Sequence, residues 1–110
     1  LSELIIAEPN RHKGYGTKAL NLFIKELNKR LLNVQIAIKE QKSEDIATQT
    51  HALKSSAGTY GALHLQKIST DLDLACKQLN KASINLLSKQ LVEAIRLTID
   101  SYTKHFSIDG

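Results

Sequence analysis

The sequence predicts an all-α protein, an antiparallel up-down four-helix bundle with a short extra N-terminal helix. Three observations lead there. Apolar residues recur at three-four spacing through most of the 110 residues, the signature of helices with one buried face. No segment sustains the period-two alternation that a half-buried strand needs. The links between the periodic segments are short, which favours antiparallel neighbours.

The elements follow in chain order. Leu1 to Ala7 reads as a short helix that closes one end of the bundle, before Pro9 breaks it. Residues 1–16 thus form a short helix and loop, and 17–107 the bundle proper. After the Gly14-Tyr15-Gly16 loop, Thr17 is the expected N-cap of the first long helix. Leu20, Ile24, Leu27, Leu31, Val34 and Ile38 form its apolar stripe. The second helix is expected to begin near Ser43 as its cap, with Glu44 and Asp45 in its first turn. Its inner stripe is Ile46, Thr50, Leu53 and Ala57, and Gly58 and Gly61 mark its end. A third helix carries Leu65, Ile68, Leu72, Ala75 and Leu79 inward. After an Asn80-Lys81-Ala82 link, Ser83 is the expected cap of the last helix. Ile84, Leu87, Leu91, Ile95, Thr98, Tyr102 and Phe106 make the last stripe.

Composition excludes several classes of function. With 42% apolar residues and one Pro, the chain is globular and long enough for a single core, hence one domain over 1–110. It contains no Met, even at position 1, and reads as a segment of a longer polypeptide. The lone Cys76 cannot form an internal disulfide, and no signal peptide or membrane-length apolar run is visible. The expected location is cytoplasmic, with any inner-membrane anchor carried by the rest of the parent protein and no direct membrane contact here. The net charge of +4 is scattered, and aromatic residues are only 5%. Nucleic-acid binders concentrate their cations on one face and stack bases on aromatic rings; none is expected as a partner.

The chemistry gathers in one segment, His51-Ala52-Leu53-Lys54-Ser55-Ser56-Ala57-Gly58-Thr59-Tyr60-Gly61-Ala62. At about 100° per residue, Leu53 and Ala57 lie within about 20° of the core direction marked by Ile46. His51 sits about 140° from it, on the outer side. Lys54, Ser55 and Gly58 surround it on the turns above. An exposed imidazole has a pKa near 6.5 and is largely neutral and nucleophilic near pH 7. Small neighbours leave it open to another protein.

This segment resembles the signature of histidine phosphotransfer (Hpt) domains, roughly His-x-Leu-Lys-Gly-Ser followed at the helix end by Gly-Ala. Ser55 stands where that family usually has glycine. The resemblance implies the same four-helix architecture and the C-terminal module of a bacterial hybrid sensor kinase. It implies that His51 is phosphorylated by a receiver-domain aspartate and passes the group to a response regulator. Lys54 would bond the phosphoryl oxygens, while Ser55 and Gly58 leave room for the partner's loops. Family spacing adds Asp73 on the next helix as the residue that bonds the histidine ring. No metal ligands and no cofactor are expected in this domain; Mg²⁺ would come from the receiver partner. The isolated domain is expected to be a monomeric phosphocarrier. A non-catalytic docking module that binds a receiver or kinase domain is the alternative.

Other candidates are weaker. Gly14-Tyr15-Gly16-Thr17-Lys18 lacks the spacing of a phosphate loop and any preceding strand. His12, His64 and His105 have no partner at metal-ligand spacing, and Cys76 reads as a small packing residue. Ser56 shows no acidic group that could orient a hydrolytic triad.

Overall fold

A computed structural model describes residues 16–106. The short helix expected within Leu1 to Ala7 lies outside the described residues. Those described form four helices: α1 (Thr17–Lys39), α2 (Ser43–Tyr60), α3 (Leu63–Lys77) and α4 (Lys81–Phe106). Each packs chiefly on its neighbours in a ring, α1 on α2, α2 on α3, α3 on α4 and α4 back on α1. That is an up-down bundle. Its long dimension of 41 Å matches the longest helix, since 26 residues at about 1.5 Å each span about 39 Å.

The expected stripes form the core, save Leu79 and Phe106, the side chain of the latter lying outside the described residues. Leu27, Val34, Leu53, Ala57, Leu65, Leu72, Leu91 and Ile95 are fully covered, and Ile24, Leu31, Ile38, Ile68 and Leu87 pack around them half-buried. Phe23 belongs to the core although it stands outside the three-four stripe of α1. Its ring stacks on Tyr60 at 4.4 Å and meets the edge of Tyr102 at 5.2 Å, so the buried arc of α1 is wider than one seam. Thr50 and Thr98 are buried with their hydroxyls bonded to Ile46 O and Ala94 O, one turn back.

Helix ends differ from the expectations in a consistent way. Thr17 and Ser43 are the first helical residues, and Gly16 and Lys42 precede them as extended caps. At α4 the cap is Asn80, whose Oδ1 accepts from Ser83 N–H; Ser83 lies inside the helix. α2 runs past Gly58 to Tyr60, and only Gly61, at φ 74°, closes it. Leu79, expected in the inner stripe, is 78% exposed because it adopts φ 55° just past α3, which turns its side chain outward.

All three tight connections use one device. The amide of the residue after the left-handed position donates back five residues: Lys42 to Ala37 O, Ala62 to Ala57 O, and Asn80 to Ala75 O. Glycine occupies that position once, and Gln41 and Leu79 occupy it twice. A non-glycine residue there costs about 1 kcal/mol. A single fully buried leucine contributes about 2 kcal/mol, so core packing carries both strained turns.

Candidate functional site

α2 presents two faces with different tasks. Ile46, Thr50, Leu53 and Ala57 are turned inward. His51 lies on the opposite side, its side chain 72% exposed. Ser55 and Gly58, on the next two turns, are exposed as well. Water reaches the imidazole from most directions, so the domain alone cannot shield a developing charge around it.

Gly58 is a helix-interior residue rather than a helix end. A Cβ added there would meet Gln66 Nε2 of α3 at 2.7 Å. The glycine thus gives the flexible Gln66 amide room beside α2, one reason for the small residue apart from any partner. Ser55 exposes its side chain to solvent one turn from His51, where the related signature has glycine.

Asp73 reaches this face from α3. Although charged, it is only 7% exposed. The stripe logic for α3 places it beside the buried Leu72, and the close packing of α2 on α3 covers it. Its Oδ2 accepts a hydrogen bond from Lys54 Nζ at 2.8 Å, and Lys77 Nζ lies 3.4 Å from the same oxygen. The Lys54 bond is the main reason its carboxyl titrates below the ordinary value of 3.8; burial opposes that shift, and Lys77 adds to it. Asp73 is therefore an anion at any physiological pH.

His51 Nδ1 stands 3.9 Å from Asp73 Oδ2, beyond hydrogen-bond length. The expected Asp73-to-ring bond is thus absent in this geometry, and the carboxylate's short partner is Lys54. Nδ1 nonetheless faces an anion. Nε2, at the far edge of the ring, is the nitrogen left for chemistry. Lys54, placed beside His51 by the helix geometry, is half-buried and 32% exposed.

Two residues escaped the sequence reading. Lys77 adds a second cation to what was expected to be a one-lysine site. Its link to Asp73, four residues apart on one helix, was visible as spacing, but its relation to His51 needs the α2–α3 packing. Glu26 corrects the expectation for Ser56, whose hydroxyl donates to the Glu26 carboxylate at 2.9 Å. Glu26 also pairs with Arg30 at 2.9 Å, and Arg30 reaches Gln49 at 3.0 Å. This network ties α1 to α2 about 140° around the helix from His51, so it makes no triad.

Among the described residues, no three His, Cys, Asp or Glu side chains gather to hold a metal ion. His64 is exposed, and the side chains of His12 and His105 lie outside the described residues. Cys76 is buried and unpaired, and burial raises its thiol pKa, with the Asp73 charge adding to the effect. No helix among the described residues is long and apolar enough to cross a membrane.

Compared with known families, the chain matches the model of the Hpt domain over residues 18–102. That span takes in nearly all of the four helices and the whole His51 face. No curated protein and no solved structure matches the chain.

Proposed function

The chain belongs to the Hpt domain family, whose members carry out histidine phosphotransfer in two-component phosphorelays, and on that premise we propose that His51 is its phosphorylated residue. The observation that carries this reading is the pairing of exposure with polarity. His51 is 72% open to a partner, and its Nδ1 faces the buried anion of Asp73. That environment favours the tautomer with the proton on Nδ1 and the lone pair on Nε2.

The step balances simply. The Nε2 lone pair attacks the phosphorus of a receiver's aspartyl phosphate. The Nε2–P bond forms, the acyl O–P bond breaks, and the receiver's aspartate leaves as a carboxylate. The Nδ1 proton stays in place. Charge develops on the equatorial oxygens, so acceleration comes from positioning and electrostatics. Lys54 is the nearest cation of α2 to supply them, as a mobile point charge. Ser55 and Gly58 keep the approach free of bulk. The donor set here suits no metal ion of its own, so Mg²⁺ is assigned to the receiver's acidic pocket. The same reading makes the domain a phosphocarrier within a hybrid sensor kinase, working in the cytoplasm between an attached receiver and a response regulator.

The test is transfer from a phosphorylated receiver domain, with acid and base stability of the product. Acid-labile, base-stable label on the wild type and none on His51→Gln is the expected result. His51 is exposed, so the variant should keep its helicity, and persistent full labelling would overturn the assignment. No label on a wild type that still binds the receiver would favour a docking module and make Ser55→Gly the next variant.

A further inference from the structure

Asp73 has more nitrogen donors around one oxygen than a single carboxylate needs, two of them lysine ammonium groups. Its Oδ2 lies 2.8 Å from Lys54 Nζ, 3.4 Å from Lys77 Nζ and 3.9 Å from His51 Nδ1. The closest of the three, Lys54, is the cation required at the phosphoryl oxygens. In this geometry it is already engaged. If it moved to the phosphoryl group, a carboxylate only 7% exposed would lose its best partner, and an unpaired buried charge is expensive.

Lys77 removes that obstacle. It sits one turn beyond Asp73 on α3, so the helix itself keeps it in reach whatever α2 does. It is 66% exposed, with slack to close on the oxygen. We propose that Lys77 is a positioning residue of the site: it holds the charge of Asp73 while Lys54 moves to the incoming phosphoryl group. Asp73 can then also accept the Nδ1–H of His51, whose ring gains positive charge as Nε2 bonds to phosphorus. Contacts are exchanged in this step. The bonds made and broken remain Nε2–P and the receiver's acyl O–P. The inference rests on the phosphotransfer reading and extends it to how Lys54 is released. Lys77 also lies in the last turn of α3, where any cation suits the exposed carbonyls; a purely structural role there would alter stability alone.

The test is a double-mutant cycle on Lys77→Met and Asp73→Asn, reading the transfer rate constant at saturating phosphorylated receiver and the half-saturating receiver concentration. Lys77→Met should lower the rate constant about twofold to fivefold, the size of one partly exposed ion pair. Half-saturation should not change, and Lys77→Arg should restore the rate. In the Asp73→Asn background, Lys77→Met should have no effect. Equal losses in both backgrounds, or a raised half-saturating concentration, would place Lys77 on the receiver and overturn the proposal. A loss of stability without a loss of rate would overturn it too.

A second readout needs no phosphate. Nitrogen-15 NMR of the Lys54 ammonium should show slower hydrogen exchange in Lys77→Met, because Lys54 no longer shares the Asp73 oxygen. Unchanged exchange would overturn the proposal even if transfer is normal. Slowed exchange in a protein whose wild type accepts no phosphate would instead locate the failure in the phosphotransfer reading.

Discussion

His51 and Asp73 show how little of a residue's environment its own helix determines. The angle of His51 from the core follows from helix geometry alone, and its exposure agrees with it. The burial of Asp73 does not follow in that way. Between two leucines it reads more readily as a solvated residue than as a contact, and α2 decides otherwise by covering it. The bond that matters joins residues 54 and 73, and its register is set where two helices pack. The same holds for Glu26 and Ser56, 30 residues apart. Asp73 has a consequence that can be measured. Its folded-state pKa is held below 3.8, chiefly by Lys54. A depressed carboxyl pKa contributes stability above the unfolded value and loses it as pH falls through the folded one. Wild type should therefore exceed Asp73→Asn in urea stability near neutral pH. The gap should narrow once pH drops below 3.8. A gap independent of pH would mean that the ion pair contributes nothing to the fold.

At the scale of elements, the four helices and their inner faces were legible because period and polarity repeat over many turns. Their ends were not, because a cap is decided by one or two residues. Serine and threonine are good caps in general, yet Thr17, Ser43 and Ser83 all stand inside their helices, and Asn80 caps α4. The left-handed turn residues divide similarly. Gly61 announced itself as glycine, whereas Gln41 and Leu79 take the same conformation without any local signal. That conformation makes Gly61 the turn position most sensitive to substitution. Gly61→Ala places a Cβ at φ 74° and should cost about 1 kcal/mol, read as a lower midpoint in thermal or urea unfolding. Because Ala62 N–H must still reach Ala57 O to start α3, the variant should remain a four-helix protein. An unchanged midpoint would show that the turn relaxes to another conformation at no cost.

For the whole molecule, the bundle separates the groups that hold it together from those that react. Tyr102 is fully buried and joins three helices at one end. Its hydroxyl on α4 donates to the Tyr60 carbonyl at the end of α2, and its ring lies edge-on to Phe23 of α1. Tyr60 is nine residues beyond His51, about 13 Å along α2, and α3 supplies the charged half of the site rather than this clamp. A loss at the clamp should therefore lower the stability of the whole fold and leave the reactive face intact. Tyr102→Phe keeps the ring and removes one hydrogen bond to a partly buried carbonyl, a loss of about 1–2 kcal/mol. The unfolding midpoint should fall accordingly, while the rate of phosphoryl transfer to His51, measured well below that midpoint, stays at the wild-type value. A transfer rate that fell with the midpoint would mean that the α2–α3 register around Lys54 and Asp73 depends on the far end of the bundle. The reactive face would then be a property of the entire four-helix packing, with no separation between the groups that hold the bundle and those that react.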